Sequence, residues 1–292
     1  MIYLTGSSGF VGTSFKNFWI RDKVCVSSRG KESNIDDVEV VIHLAGKAHD
    51  LKNTSTPDDY YQVNTELTKE VFNAFLVSDA NVFITLSSVK AVADEVEGVL
   101  TEDQGPNPIT HYGKSKLLAE QYIFSKEIPE GKRVYVLRPC MIHGSGNKGN
   151  LNLLFKLASK NIPWPLGTFE NKRSFCSIDN LMFIFNELIE REDIPSGIYN
   201  LADDEPLSTN ELIGLIAQSQ NRKPKVWNFS KRFIEGIASI GDKLHLPLNT
   251  DRLQKLTSSY VVSNAKIKAA LGKPLPVSSR EGLLKTFKSF NR

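Results

Sequence analysis

Five short apolar runs, MIYLTG, KVCVSS, VEVVIHLAG, NVFITLSS and RVYVLRP, are spaced along the first half of the chain, and no other feature restricts the fold so tightly. Each has the length of a strand. The longer stretches between several of them carry apolar residues at helical spacing, which predicts helices from about Val11 to Ile20, Asn64 to Val77 and Gly113 to Lys126. Such alternation predicts an α/β class with a doubly wound parallel sheet and helices on both faces.

The second half is less regular. NLNLLFKLASKNIPWPLG, SIDNLMFIFNELIERE and STNELIGLIAQSQ read as helices, with a short strand-like run, GIYNLA, between the last two. The expected organisation is a large domain over residues 1–150 and a smaller lobe over 151–292 at the sheet's edge, with segments near 176–202 returning to the large domain. A chain of 292 residues with 40% hydrophobic residues suits one large domain with an elaboration. SKRFIEGIASIGDKLHL, Ser230 to Leu246, has an apolar face with basic residues; a helix covering the smaller lobe is the favoured reading and contact with a membrane surface the alternative.

Composition removes several function classes. With 36 basic and 33 acidic residues and no basic run, a nucleic-acid partner has little support, and the net charge of +3 suits an anionic small molecule. Cys25, Cys140 and Cys176 are odd in number and widely spaced, so they are expected to be reduced core residues. No signal-peptide pattern opens the sequence and no apolar run approaches the length of a membrane span, so the cytoplasm is the expected compartment. The five histidines show no metal-ligand spacing, and no metal is expected.

Behind the first strand lies TGSSGFVG, with Gly6, Gly9 and Gly12 at three-residue steps. It lacks the Gly-Lys-Ser/Thr ending of a P-loop. A strand entering Gly6 and a helix leaving after Gly9 gather free backbone N–H groups and the positive end of a helix dipole at one point, which suits a pyrophosphate. Gly12, one turn into the helix, permits close packing of helix on strand. Taken alone, such a turn can equally be a plain connector.

Tyr112 and Lys116 in YGKSKLLAE are four apart, hence on one helix face. An ammonium beside the phenol favours the phenolate and lowers the tyrosine pKa from about 10, which would let Tyr112 exchange a proton with a bound hydroxyl. Ser88, at the C-terminal end of NVFITLSS, lies at the edge where open α/β sheets bind ligands, and its hydroxyl can orient a substrate oxygen; Ser87 is the substitute.

TGSSGFVG, HLAG (His43 to Gly46), Asn64 in YYQVNTELTK, LSSV (Leu86 to Val89), YGKSK (Tyr112 to Lys116) and RPCMIHG from Arg138 occur in that order. Together they resemble the extended short-chain dehydrogenase/reductase family, the NAD-dependent epimerases and dehydratases, over roughly residues 1–180 and more weakly beyond. HLAGKAHD, LSSVKAV and IPWPLGTFENKRSFCSIDNL are similar to the bacterial sugar-nucleotide 4-epimerases and 4-keto reductases of surface-polysaccharide synthesis.

The resemblance implies a Rossmann domain and assigns roles. Ser88, Tyr112 and Lys116 would be catalytic, with Lys116 also bonding the nicotinamide ribose. Gly6, Gly9, Phe10, Val11, Gly12, Leu44, Ala45 and Gly46 would line the dinucleotide, and Arg138 and Pro139 would open the nicotinamide face. Arg173 would meet a substrate diphosphate, with the amide of Asn150 or Asn152 beside it. Trp164 would stack near a uracil or anchor a loop, Lys90, His49 and His143 would face the sugar or take core or surface roles, and Asn64 is either a helix cap or cofactor-related.

The second strand, KVCVSSRG, ends without the acidic residue that bonds an NAD ribose, and Arg29 there can pair with a 2′-phosphate or merely stack on adenine; NADP(H) is favoured over NAD(H). Only about ten residues separate Arg29 from VEVVIHLAG, where the usual extended member has another helix and strand, so a strand has been lost or reduced to a loop. The expected partner is a UDP-linked N-acetylamino hexose, with a homodimer as the assembly to consider. A 4-keto reductase is placed ahead of a 4-epimerase because a released NADPH is a natural electron source. A redox sensor without chemistry would need the glycine turn but not the Ser/Tyr/Lys set.

Overall fold

Alternate residues of the central strands point to opposite faces, and both faces are buried. Ile2 and Leu4, Val40 and Ile42, Val82 and Ile84, and Tyr135 and Leu137 join one hydrophobic cluster, whereas Tyr3, Val41, Phe83, Val134 and Val136 join another. That two-sided burial is what makes these strands read as continuous apolar runs. The computed structural model describes residues 1–20, 24–26, 35, 37–48, 56–147, 149–160, 162–244 and 249–291.

The elements in chain order are β1 (Ile2–Thr5), α1 (Phe10–Phe18), β2 (Val24–Val26), β3 (Val40–His43), α2 (Pro57–Tyr61), a π-helical turn (Gln62–Glu66), α3 (Leu67–Val77), β4 (Val82–Leu86), a 3₁₀ turn (Val89–Ala91) and β5 (Val99–Leu100). There follow α4 (His111–Phe124), β6 (Arg133–Pro139), β7 (Met141–His143), α5 (Asn150–Ala158), β8 (Phe175–Ser177), α6 (Ile178–Glu190) and β9 (Gly197–Leu201). The chain ends with α7 (Thr209–Ser219), α8 (Lys231–Leu244), α9 (Thr250–Thr257), β10 (Val261–Val262), α10 (Ala265–Leu271) and α11 (Ser279–Ser289).

Six strands form one parallel sheet in the order β2-β1-β3-β4-β6-β9, a Rossmann arrangement. Helices α1 and α6 cover one face through Phe15, Leu181 and Phe185; α3 and α4 cover the other through Phe72, Phe75 and Ile123. Among the described residues β2 is the edge of the sheet, and no strand lies outside it. A further cluster, Leu151, Phe155, Trp164, Leu212, Ile216, Leu283 and Phe287, fills the space between α5, α7 and α11. Small parallel pairs, β5 with β10 and β7 with β8, connect this C-terminal part to the sheet side.

Two helix expectations are corrected by local chemistry. The helical stretch predicted from Asn64 begins earlier, at Pro57. Thr56 caps it, accepting from the Asp59 N–H while Asp59 Oδ2 accepts from the Thr56 N–H at 2.9 Å, and Pro57 sits in the first turn where its missing N–H costs nothing. The stretch from Asn150 stops being helical at Ala158; Pro163 and Pro165 cannot continue a helix, and the chain there makes bridges from Trp164 to Val226 and from Leu166 to Asn228.

Candidate active site

The three glycines have three different duties. Gly6 takes a left-handed backbone, φ +67°, with its Cα against the backbone of Leu44 and Ala45, so a side chain there would overlap the end of β3. Gly12 is buried against the Gly6 carbonyl and leaves no room for a Cβ either. Gly9 is exposed, heads α1 and meets only the Gly6 oxygen, at 3.3 Å. It provides no side-chain cap, so the first N–H groups of α1, those of Phe10 and Val11 among them, are not taken by a capping side chain. Two glycines bring β1, α1 and the β3 end together; the third leaves open donors at a helix N-terminus, which fits a dinucleotide pyrophosphate.

Behind Ala45 runs a directed chain of hydrogen bonds. The Ala45 N–H donates to Thr5 Oγ1 (3.0 Å), which donates to His43 Nδ1 (2.9 Å); His43 Nε2 donates to Thr68 Oγ1 (3.0 Å), which donates to the Asn64 carbonyl (2.8 Å). The Thr68 bond to a carbonyl fixes the direction, and with it the Nε2–H tautomer of His43. His43 is fully buried beside Lys116, and burial first, then that ammonium, lowers its pKa to about 3. It is a neutral connector between β1, β3 and α3.

Asn64 is neither a helix cap nor solvent-facing. It lies within the π-helical turn, fully buried, accepts from the Lys47 N–H (2.8 Å), and donates to the Lys47 carbonyl (3.1 Å) and Ser115 Oγ (3.0 Å). The π-helical turn, a local device common at functional sites, sets this residue inward. It therefore clamps the segment after Gly46 to α4. Gly46 is exposed, and a Cβ there would sit 3.1 Å from Lys116 Nζ and 3.3 Å from Asn64 Oδ1, so the strand end is held close over the lysine.

Lys116 is buried and donates to the Leu86 carbonyl at 2.8 Å. Burial lowers its pKa to about 8, with Glu120 acting in the opposite direction. Tyr112, one turn earlier on α4, meets the Tyr60 ring edge-on at 6.3 Å. Its pKa is raised, not lowered as the sequence led one to expect: burial is the main cause, the nearby Ser88 hydroxyl opposes it and Tyr60 adds to it. The ammonium of Lys116 is turned towards Leu86, so desolvation of the phenolate prevails and Tyr112 rests as the protonated phenol. Ser88 caps the 3₁₀ turn, accepting from the Lys90 N–H at 3.2 Å. Ser87 Oγ is buried without a hydrogen-bond partner and lines a small cavity with Lys116 and Glu120. Proton exchange with a ligand at Ser88 is therefore within the means of Tyr112, and an ammonium at Lys116 favours the phenolate that such a transfer leaves.

The outer residues divide. Lys90 lies over the Tyr260 ring at 4.5 Å and donates to the Asp94 carbonyl (2.6 Å); burial lowers its pKa, and Arg173 contributes to the lowering. Arg173 bridges to Tyr260 and donates to the Lys255 carbonyl (2.8 Å), so the structure brings Lys90 and Arg173 together around Tyr260. Asn150 is exposed at the start of α5, and the Asn152 amide is spent on the Asn147 carbonyl. Arg29 and His49 lie outside the described residues.

Three assignments are corrected. The Arg138 guanidinium does not face a nicotinamide: it is buried on Glu120 of α4, Nε to Oε1 at 2.9 Å, because β6 packs that side of its strand end against the helix. Its neighbour Pro139, also buried, keeps the β6 backbone in register with Leu201. Trp164 is buried in the α5/α7/α11 cluster and donates to Asn210 Oδ1 at 3.1 Å, an anchor unavailable for stacking on a base. His143 is buried between Thr286 (2.9 Å) and Asp203 (3.3 Å) and cannot face a sugar. Tyr60 and Tyr260 were not anticipated. Tyr60 is visible as an aromatic pair in DDYYQ, whereas nothing near Tyr260 in sequence points to Ser88.

Comparison with known proteins places this arrangement. The sequence model described as the NAD dependent epimerase/dehydratase family matches residues 2–202. The chain belongs to that family. A UDP-glucose 4-epimerase of Vibrio cholerae is 28% identical, over 99% of this chain and 95% of the relative. An N-acetyl-alpha-D-glucosaminyl-diphospho-ditrans,octacis-undecaprenol 4-epimerase of Escherichia coli O157:H7 is 27% identical, over 76% of this chain and 73% of the relative. Among solved structures, a UDP-glucuronic acid 4-epimerase from Bacillus cereus in complex with NAD superposes with a TM-score of 0.74 at 19% identity, covering 99% of this chain and 98% of that one. As a member of the epimerase/dehydratase family the protein is an enzyme that uses a nicotinamide dinucleotide, which supplies or accepts a hydride when bound.

Proposed function

We propose that the protein is an oxidoreductase acting at C4 of a UDP-linked N-acetylamino hexose, and that it runs as a 4-keto reductase supplying a surface-polysaccharide precursor. The observation that carries the reading is the Ser88–Tyr112 pair over Lys116, with Tyr112 held as the phenol by burial. Ser88 orients the ketone oxygen, Tyr112 gives it a proton as hydride arrives at the carbon, and Lys116 stabilises the phenolate that remains. Gly9 and the start of α1 hold the pyrophosphate. Lys90 and Arg173 supply positive charge for the substrate's diphosphate. In sequence, Arg29 after β2 favours NADP(H).

A 4-epimerase would use the same groups in both directions, and the Vibrio relative, matched over 99% of this chain, favours that reading. One experiment separates them. The purified protein is given a UDP-linked 4-keto N-acetylamino hexose with NADPH or NADH, and separately UDP-N-acetylglucosamine without added cofactor. Stoichiometric oxidation of NADPH with formation of the 4-hydroxy sugar supports the reductase, while interconversion of 4-epimers without net cofactor use supports the epimerase. Tyr112→Phe should lower turnover at least about a hundredfold and leave dinucleotide binding intact. Activity of that variant equal to the parent's would remove the catalytic assignment.

A further inference from the structure

Helix α8 shows solvent an apolar stripe that the fold does not use. Phe233, Ile237, Ile240 and Leu244 follow one another at steps of four, three and four residues, on one line of the helix, and are 54%, 36%, 55% and 63% exposed. The helix is held to the body by a different face, through Ile234, Ala238 and Gly241. The stripe continues beyond the helix: the Phe229 ring lies 5.7 Å from Phe233 and the Trp227 ring 5.7 Å from Phe229, with Trp227 53% exposed.

The charges are arranged around this stripe. At 3.6 residues per turn, Arg232 and Lys243 flank it on the side away from the body, and the acidic Glu235 and Asp242 fall on the opposite side of the helix. Asp242 is moreover occupied, accepting from the N–H and hydroxyl of Thr250. Residues 222–244 carry six bases, Arg222, Lys223, Lys225, Lys231, Arg232 and Lys243, against those two acids, and all of them are exposed. A second copy of the chain docked on the stripe would have to bury it beside the basic flank of Arg232 and Lys243, unpaired among the described residues. An anionic lipid surface covers the apolar stripe and neutralises its basic flank together.

We propose that α8, with Trp227 and Phe229, is a peripheral docking surface for an anionic bilayer. The helix lies in the plane of the interface and does not span it; no helix among the described residues is long and apolar enough to cross a membrane. Docking would place the Arg173 side of the molecule near the lipid, because Arg173 is bonded to α9, which packs on α8. The proposal holds whichever sugar nucleotide the site takes.

The test uses the full chain and sedimentation with vesicles of phosphatidylethanolamine and phosphatidylglycerol, against vesicles of phosphatidylcholine alone. Binding to the anionic vesicles is expected to be at least about tenfold tighter and to weaken in high salt. Trp19 and Trp164 are buried, so a blue shift of tryptophan fluorescence on binding reports Trp227. Phe233→Ser with Ile240→Ser and Leu244→Ser, and separately Arg232→Glu with Lys243→Glu, should each weaken binding by about tenfold or more. All five positions are exposed, so these variants keep the core. Absence of binding to the anionic vesicles, or binding unaltered in both variants, would overturn the proposal. So would a serine variant that converts a dimer to a monomer in sizing chromatography while still binding the vesicles, since the stripe would then belong to a second copy.

Discussion

Burial decides the resting charge of Tyr112, Lys116 and His43. Tyr112 stays a phenol, Lys116 is an ammonium with a pKa brought down to about 8, and His43 is neutral with a pKa of about 3. For His43 the consequence can be measured. Its folded value lies below the ordinary 6.5, so between 6.5 and about 3 the unfolded chain binds a proton that the folded chain does not, and stability falls as pH falls through that window. The contribution to the slope reaches about 1.4 kcal/mol per pH unit. His43→Gln should be less stable near neutrality, having lost the Thr5–Thr68 connection, yet show a shallower loss of stability on acidification; denaturant midpoints across the window measure both, and an unaltered slope would contradict the neutral-connector role. The Tyr112–Lys116 face was legible because four residues on a helix suffice to define it. The partners of Asn64 were not, since a π-helical turn, not a regular helix, aims its amide at Lys47 and Ser115. Arg138 was misjudged for a related reason: its place at a strand end is local information, but its pairing with Glu120 arises only when α4 packs on β6.

At the scale of elements, continuous apolar runs and glycine spacing carry most of the fold, because a strand buried on both faces and a turn with no room for Cβ leave marks in consecutive residues. The β1–α1 turn permits a sharp contrast between two glycines three residues apart. Gly9→Val adds a side chain over open space, near only the Gly6 oxygen at 3.3 Å, so the helix content should persist while dinucleotide binding, followed by nicotinamide fluorescence, is lost. Gly12→Val instead drives a side chain into the Gly6 backbone, so helix and strand must separate and the thermal midpoint should fall along with binding. Equal affinity in a folded Gly9→Val protein would make the turn purely structural. Elements whose residues are distant in sequence were harder to read. Trp164 between two prolines gave no sign of Asn210, and the strand pairs β5–β10 and β7–β8, only two or three residues long, fall below what a periodic pattern can register.

The whole molecule matters to the site because the chain beyond residue 202, where the family match ends, returns to support Ser88. β10 pairs with β5, and the preceding residue, Tyr260, donates its hydroxyl to the Ala93 carbonyl at 2.7 Å while its ring lies under Lys90. The same backbone bonds Lys172 and Ser174, the neighbours of Arg173. One tyrosine thus ties the turn that Ser88 caps to the segment that carries Arg173, and it does so without a place of its own in the proton transfer. Tyr260→Phe keeps the ring beneath Lys90 and removes only the bond to the 89–93 turn. Loss of one buried hydrogen bond should reduce stability by about 1–3 kcal/mol, because the Ala93 carbonyl is left without that donor. If the bond also positions Ser88, kcat should fall several-fold or more, since small displacements of a positioned group are amplified in rate. The dinucleotide Kd should stay at the parent value, because the glycine turn follows β1 and Tyr260 makes its bonds at the turn after β4, with β3 between them. Unfolding curves, kcat and cofactor titration on the same preparation distinguish the outcomes. A loss of stability with kcat unchanged would confine Tyr260 to packing, and a weakened dinucleotide would mean that the substitution spreads through the sheet, beyond the turn it touches.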